Sequence, residues 1–535
     1  MINKSMYSYL LHNYHQKKDD VAICFLYKKF SYEFLKNEVD TIACFLHNQG
    51  IKKGDVVTVA LPNIPSSVSV FYAINKIGAV ANMVHPLVPY QVLKQHMQNT
   101  KSKLLFAFDL LLDNYFNQLV QDGFKTVVCK ANDYLTKFES FFYTHFAKKR
   151  CKNIDKNKCI FFSDVQKTKR FDLDLKVGGD DVAVIMHSSG TTDKSKSACL
   201  SSANFNYVAD NVIEVLPWGK QLGKGMASIA VLPTFHAFGL GVSTHTMLSF
   251  GYHIVMIPKY SAKLIVKKIK RKNVAIIAGV PTMFAGMVDQ KAFDGKHLKK
   301  LKFAFCGGDR LDQKTKDKFD TLVAKNGGAC VLDEGYGLTE ASGVLSVNTR
   351  KAQKQGSVGK PLKDTFVGAF DEQGSLLPPD VDGELCVCSP AVMKGYLKGD
   401  NLSQDGIFVF DDKRFVKTGD YGHVDNDGFI FFKQRQKRIE KVSGVNVFPA
   451  EAEQVLSQID GVKTCCVKGV PHKTKGVVLK AFVVAQDGVD KDSLLAIIKK
   501  ECEQKLDKWT QPKIYEFLTD LPLTPFGKVD YKSLR

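Results

Sequence analysis

Two spacings of apolar residues alternate along the chain. Tyr32-Glu33-Phe34-Leu35-Lys36-Asn37-Glu38-Val39 has the three-to-four-residue spacing of an amphipathic helix, and Gly54-Asp55-Val56-Val57-Thr58-Val59-Ala60-Leu61 reads as a strand entered through a glycine turn. Short apolar runs bounded by glycine and proline continue the pattern at residues 229–232, 254–257 and 275–278, which predicts an α/β texture. Near Gly356 the texture changes. Gly356, Gly359, Pro361, Gly368, Gly374, Pro378 and Pro379 follow at close intervals and predict a turn-rich β subdomain. The charged run 433–441 then interrupts the apolar residues 429–432 and precedes the helix-like Pro449-Ala450-Glu451-Ala452-Glu453-Gln454-Val455-Leu456. It reads as a linker, and the hundred or so residues after it suit a small α+β unit able to move independently.

Composition fits this division. A chain of 535 residues with 44% hydrophobic content can bury a large core and is too long for one compact domain. No apolar stretch approaches the length of a membrane span, the start Met1-Ile2-Asn3-Lys4-Ser5 is not a signal-peptide core, and Ser533-Leu534-Arg535 is not the peroxisomal address. A soluble, cytoplasmic protein is expected. Thirteen cysteines without regular spacing outline no disulfide framework and read as reduced core residues; the adjacent Cys465 and Cys466 would point to opposite faces of a strand. The net charge of +20 suits nucleic acid, an anionic membrane or a polyanionic small molecule without choosing among them. The densest run, Lys267-Lys268-Ile269-Lys270-Arg271-Lys272, follows apolar Leu264-Ile265-Val266 and reads as the solvated end of an amphipathic helix, where cations complement the helix dipole.

Chemistry concentrates after the apolar run 182–186. His187-Ser188-Ser189-Gly190-Thr191-Thr192-Asp193-Lys194-Ser195-Lys196-Ser197 combines glycine, which lets backbone N–H groups turn towards an anion, with neutral hydroxyl donors and lysine. Such a loop suits phosphates. Residues 190–197 differ from a Walker A loop only at Ser195, where glycine is expected, but no strand ending in a magnesium-binding aspartate accompanies them.

A second set of residues points elsewhere. Ser188-Ser189-Gly190-Thr191-Thr192 with Lys196, then Tyr336-Gly337-Leu338-Thr339-Glu340, Lys417-Thr418-Gly419-Asp420 and Gly527-Lys528-Val529-Asp530, resemble in order the core motifs of the acyl-adenylating superfamily of acyl-CoA synthetases, adenylation domains and luciferases. The similarity runs almost end to end and includes Leu61-Pro62-Asn63, Gly356-Ser357-Val358-Gly359-Lys360-Pro361, Gly383-Glu384-Leu385 and Val392-Met393-Lys394-Gly395-Tyr396. It implies an α/β (mixed α+β) fold. A large N-terminal domain, residues 1–436, would carry α/β layers and the β-rich subdomain; a small mobile α+β domain, residues 437–535, would turn on a hinge near Lys437.

The resemblance also assigns roles. A carboxylate attacks the α-phosphorus of ATP, so catalysis is mainly positioning and neutralisation of crowded negative charge. The loop carrying Ser188, Ser189, Gly190, Thr191, Thr192 and Lys196 would cradle the β- and γ-phosphates, Thr339 would lie near them, and Glu340 would hold Mg2+. Tyr336 and Gly337 would flank adenine, Asp420 would accept from the ribose hydroxyls, and Arg435 would help hold the ribose. Lys528 would stand between substrate carboxylate and α-phosphate. His236, in Pro233-Thr234-Phe235-His236-Ala237-Phe238-Gly239, would border the acyl pocket together with Gly239, Gly241, Cys306, Gly307 and Gly308, with Asp309 beside the nucleotide; a buried structural histidine is the other reading of His236. After adenylation the small domain would rotate, and Ser443 and Gly444 would line the path of the pantetheine thiol.

The expected activity is an ATP-dependent carboxylic acid–CoA ligase acting through acyl-AMP, with ATP, Mg2+ and coenzyme A as cofactors, no nucleic-acid partner and no membrane span. Two alternatives stand beside it. A stand-alone ligase could load an acyl carrier protein instead of CoA. A nucleotide-binding protein that has lost turnover is motivated by Asp193, Ser195 and Ser197, which replace the usual glycine, proline and glycine of the loop and put an anion beside polyphosphate.

Overall fold

The apolar runs fold into two large sheets with helices between and outside them. The computed structural model describes residues 2–135, 154–173, 175–188, 196–442, 445–472, 476–523, 529–531, 533 and 534. Among these, the first sheet has nine strands, with the parallel series Val182–His187, Val80–Met83, Val56–Ala60, Leu104–Phe108, Thr126–Cys129 and Ile160–Phe161. Antiparallel Ser197–Ser201, Gly395–Lys398 and Asn401–Ser403 extend it beyond Val182–His187. The second nine-stranded sheet is parallel from Leu332–Tyr336 through Phe303–Cys306, Val274–Gly279, Ala227–Ala230 and His253–Met256 to Val21–Phe25. The strand expected at 229–232 lies two residues earlier. Pro233 has no N–H to give a ladder, so pairing stops before it.

Three helices fill the space between the sheets: Tyr32–Asn48, Pro65–Lys76 and Ser202–Val215. Ser31 caps the first by accepting from Phe34 N at 3.1 Å, and Ser201 and Asn204 form a reciprocal capping box on the third. Every residue from Pro65 to Asn75 is buried, as befits a helix apolar on nearly all sides. Burying a side chain such as Phe71 or Ile74 stabilises by about 1.5–3 kcal/mol. One polar chain in this layer is paired throughout. Tyr72 Oη meets His245 Nδ1 at 2.9 Å and His245 Nε2 meets Asn206 Oδ1 at 2.9 Å, while Asn206 Nδ2 donates to Ile2 O and Lys4 O. Outer helices complete the layers. Tyr90–Asn99 and Phe116–Gln121 cover the first sheet, and Ala262–Arg271, Pro281–Val288 and Gln313–Lys325 cover the second.

The turn-rich segment forms a five-stranded antiparallel sheet of Phe366–Phe370, Gly383–Cys388, Lys413–Val424, Ile407–Phe410 and Ile430–Arg435. The small C-terminal domain packs helices Pro449–Ser457 and Lys491–Lys505 on the sheet of Val462–His472, Gly476–Ala485 and Ile514–Leu518. Cys465 and Cys466 face different apolar clusters there, as neighbours on a strand should. The cysteines among the described residues are free and mostly buried, and no helix among those residues is long and apolar enough to cross a membrane.

The charged run 433–441, expected as a linker, is not irregular at its start. Apolar residues 429–432 lead into a strand that continues through Lys433 and Gln434 to Arg435, because Gln434 is buried opposite Tyr421 and Arg435 pairs with Asp420 across the ladder. The turn Gln436–Arg438 follows.

Candidate active site

The phosphate-type loop leaves strand Val182–His187 and returns as the antiparallel strand Ser197–Ser201, with His187 opposite Ser197. At its mouth Ser188 N donates to Lys196 O at 2.9 Å and Lys196 N donates to Ser188 Oγ at 3.3 Å. A Walker loop runs from a strand into a helix whose N-terminus faces the phosphates; here the chain runs into another strand, which removes that alternative. Ser189, Gly190, Thr191 and Thr192 lie outside the described residues, as do Asp193, Lys194 and Ser195.

A buried polar chain fastens the neck of the loop. Asn82 Nδ2 donates to Thr58 Oγ1 at 2.9 Å, so Asn82 Oδ1 is the acceptor for His187 Nε2 at 2.7 Å, and His187 Nδ1 accepts from Ser197 Oγ at 3.1 Å. Burial, with a lesser effect of the nearby His96, pushes His187 down to about 3 and keeps it neutral. Sequence reasoning missed this pair; the available signal was an asparagine inside the apolar run Val80-Ala81-Asn82-Met83.

The second cluster joins the second sheet to the five-stranded one. Asp420 has a side chain only 1% exposed and stands opposite Arg435 in the ladder, so the two meet across the strand pair with Arg435 Nε 2.9 Å from Asp420 Oδ1. Tyr336, at the carboxyl end of Leu332–Tyr336, donates from Oη to Asp420 Oδ2 at 2.5 Å. Burial and the Asp420 charge push the Tyr336 phenol well above its usual value, so it remains a donor. Thr418 sets the local turn: its Oγ1 donates to Leu385 O at 2.6 Å and accepts from Asp420 N at 3.0 Å, while Arg435 Nη1 donates to Thr418 O.

Thr339 and Glu340 sit in the short turn Thr339–Ala341. Glu340 Oε1 accepts from Tyr396 Oη at 2.9 Å, and Lys196 Nζ lies 4.6 Å over the Tyr396 ring. Tyr396 comes from strand Gly395–Lys398, which pairs with Ser197–Ser201, so one sheet brings both the loop end and the tyrosine to Glu340. Arg435 feels the charges of Asp420, Glu340 and Asp309, which places the two clusters in one electrostatic neighbourhood. The part played by Tyr396 was not read from the sequence, although it stands in a motif noted there.

Glycines keep the adjoining wall bare. Gly307, Gly308 and Asp309 follow strand Phe303–Cys306; Gly308 has φ +83°, and Asp309 Oδ1 accepts from Arg310 N at 2.9 Å. A Cβ on Gly307 would lie 3.4 Å from Gly335 O and 3.5 Å from Phe238, whereas one on Gly337 would strike Gly343 O at 2.1 Å. His236 is half-buried, its ring 4.8 Å from that of Phe235, and the wide-turned helix Phe238–Thr246 begins just after it. Asn63 fixes the approach to His236 by donating to Ala230 O and Leu232 O and accepting from Thr234 N. Behind this wall is a cavity of about 10 Å3, lined by apolar side chains alone, among them Val212, Leu216, Met247, Ile276, Phe305 and Val344.

Lys437 is exposed in the turn Gln436–Arg438. Beside it Arg438 pairs with Glu453 at 2.7 Å and lies 3.9 Å from the Tyr531 ring. Ser443, Gly444 and Lys528 lie outside the described residues.

Comparison with known proteins fits this geometry. The profile of the AMP-binding enzyme family matches residues 10–397, and that of the AMP-binding enzyme C-terminal domain matches residues 451–528. The chain is 28% identical over 536 residues to a long-chain-fatty-acid–CoA ligase of Bacillus subtilis, covering 98% of this chain and 93% of the relative. It is 30% identical over 552 residues to a probable 4-coumarate–CoA ligase 3 of Dictyostelium discoideum, covering 98% and 94%. The fold matches an anthranilate CoA ligase in complex with anthranoyl-AMP (TM-score 0.85, 20% identity, 99% of this chain and 96% of that one). It also matches a benzoate CoA ligase from Burkholderia xenovorans LB400 (TM-score 0.84, 20% identity, 99% of each chain). With family profiles spanning both the large and the small domain, and relatives aligned over nearly their whole length, this chain belongs to the AMP-binding enzyme family and is an adenylate-forming acid–thiol ligase.

Proposed function

We propose that this enzyme converts an apolar carboxylic acid, ATP and CoA to acyl-CoA, AMP and pyrophosphate through an acyl-AMP intermediate. The buried Asp420 carboxylate, bracketed by Tyr336 and Arg435, carries the nucleotide part of this reading. A carboxylate only accepts, so Asp420 suits the donor hydroxyls of a ribose. The loop between Ser188 and Lys196, with Thr339, would receive the β- and γ-phosphates. Glu340 would hold Mg2+, which is bound through one or two carboxylates plus substrate phosphates and supplies charge neutralisation there; Tyr396 donates to one Glu340 oxygen and would orient the carboxylate for the ion. Gly337 and Asp309 would form the nucleotide-side wall, Gly307 and Gly308 would stand between nucleotide and acyl group, and His236 would border the acyl group. Lys528 would lower the repulsion between the acid and the α-phosphate as the acid oxygen attacks and pyrophosphate leaves. The domain 437–535 would then turn at Lys437, and the CoA thiol would pass Ser443 and Gly444 to displace AMP.

If this core void opens into the site, its all-apolar lining would favour an alkyl tail over a hydroxylated ring. An unpaired hydroxyl buried there would cost about 1–3 kcal/mol, roughly five- to 150-fold in affinity. At about 10 Å3 the cavity must open to accept a chain, and the unbranched Met247 is suited to swing aside. The test is ATP–pyrophosphate exchange over unbranched alkanoic acids, benzoate and 4-coumarate, followed by trapping with CoA or a carrier protein. Alkanoate-dependent exchange with thioester formed on CoA is expected. Preference for 4-coumarate would overturn the acid class, transfer to carrier protein alone would overturn the acceptor, and no acid-dependent exchange would overturn the activity.

A further inference from the structure

From Val215 to Val288 the sequence contains no aspartate or glutamate, yet Lys263, Lys267, Lys268, Lys270, Arg271 and Lys272 crowd one helix and its exit. That helix, Ala262–Arg271, buries Ile265, Val266 and Ile269 against the second sheet and turns Lys267, Lys270 and Arg271 outwards. The helix dipole accounts for cations in a last turn. It does not account for cations arriving from other elements. Lys29, exposed on strand Lys28–Ser31, and Lys272 act together on His253; Lys270 and Lys300, the latter exposed at the end of Lys296–Lys300, act together on His297. Three elements therefore contribute to one positive field. Among the described residues none of these lysines, nor Arg271, forms a salt bridge; the nearby Asp294 is held by Lys325 at 2.7 Å. Such crowding of like charge costs stability and is retained here without a carboxylate to relieve it.

One aromatic residue stands at the edge of this face. Tyr27, at the tip between strands Val21–Phe25 and Lys28–Ser31, is 72% exposed. Lys268 ties it to the helix, donating to Leu26 O at 2.7 Å and lying 5.6 Å over the Tyr27 ring. An outward row of cations beside the exposed Tyr27 fits a headgroup layer, where lysine meets anionic phosphates and tyrosine rests at the apolar boundary. Nucleic acid would be served better by several aromatic rings interleaved with the cations.

We propose that this face, built from helix Ala262–Arg271, the Tyr27 tip and the Lys296–Lys300 turn, docks the enzyme on an anionic phospholipid bilayer. The contact is peripheral and electrostatic, and none of its residues belongs to the candidate active site. It therefore stands whichever acid is activated.

The test is co-sedimentation of the full chain with vesicles of phosphatidylcholine alone and of phosphatidylcholine mixed with phosphatidylglycerol. Binding is expected only to the mixed vesicles and should disappear at about 1 M salt, where screening acts within about 3 Å. Each cation near such a surface is worth roughly fivefold, so the triple variant Lys267→Glu, Lys270→Glu, Arg271→Glu should bind at least about a hundredfold more weakly. Tyr27→Ser should weaken binding a few-fold and leave the salt dependence unchanged. Acid-dependent pyrophosphate exchange at the wild-type rate shows that each variant is folded. Equal binding to neutral vesicles, no binding to mixed vesicles, or undiminished binding by the folded triple variant would overturn the proposal. So would displacement from mixed vesicles by duplex DNA at equal phosphate concentration, which would give the face to nucleic acid.

Discussion

Asp420→Asn keeps the shape of the side chain and removes one charge and one acceptor. In the native site Asp420 accepts from Tyr336 Oη at 2.5 Å, and Arg435 Nε forms an ion pair 2.9 Å from its Oδ1. The asparagine oxygen can still accept from Tyr336, but its amide nitrogen then stands beside the Arg435 guanidinium with no negative charge to pair it. A hydrogen bond to a charged group is worth about 1.5–3 kcal/mol, and the Arg435 side chain is 54% exposed, so water replaces part of what it loses. The expected loss of native stability is therefore only about 1–2 kcal/mol. ATP binding should suffer more. Each ribose hydroxyl that loses a charged acceptor costs about 1.5–3 kcal/mol, or roughly ten- to 150-fold in the KM for ATP. The assay is pyrophosphate exchange with ATP and acid varied separately, alongside thermal unfolding. A large rise in KM for ATP with an unchanged KM for the acid is expected. An unchanged KM for ATP, or an equal rise for both substrates, would refute the assignment of the ribose to Asp420.

Stability should fall with acid for an identifiable reason. Burial pushes His245 down to about 3, whereas an unfolded histidine titrates near 6.5; stability is complete above pH 6.5 and is lost progressively as pH falls towards 3, because only the unfolded chain gains the proton. Between pH 7 and pH 5 urea unfolding should show His245→Gln losing about 2 kcal/mol less than the wild type, and parallel pH curves would contradict this. The glycine wall offers a contrast between space and strain. A Cβ at Gly307 meets ordinary contacts of 3.4–3.7 Å, so Gly307→Ala should change stability by less than about 0.5 kcal/mol while lowering kcat/KM for bulky acids. At Gly335 the Cβ would come within 2.4 Å of Phe305 and 2.6 Å of Ser346 O, so Gly335→Ala should cost about 1–3 kcal/mol, read by thermal unfolding.

Much of the architecture was legible because burial imposes a period on the chain. The helix beginning at Tyr32, the strand around Val57, the basic helix end and the small C-terminal unit all follow from that period and its punctuation. Boundaries were less legible where tertiary pairing decides them. Lys433 and Arg435 look like linker residues in sequence and are strand residues in space, since Asp420 waits across the ladder. The site divides in the same way. Asp420, Arg435, Tyr336 and Glu340 stand in motifs whose order along the chain could be matched. The contacts of Glu340 with Tyr396 and of His187 with Asn82 join residues far apart in sequence on neighbouring strands, and no local spacing records such a meeting. The hairpin return of the phosphate loop was equally invisible, because a strand and a helix can follow the same glycine-rich composition.

That hairpin has a consequence for the order of events. Its stem belongs to the first sheet, while Tyr336 belongs to the second and Asp420 and Arg435 to the five-stranded one. On the proposed reading, ATP is a brace spanning separately built walls, with its polyphosphate end on one and its nucleoside on the others. Two attachments on one molecule hold far more tightly than either alone, through the effective concentration each gives the other. Cleavage between the α- and β-phosphates cuts the brace. On that reading pyrophosphate would be left with the loop and the adenylate with Asp420, each held by a single attachment, so the bond broken to activate the acid would also be the one that gave ATP its double hold.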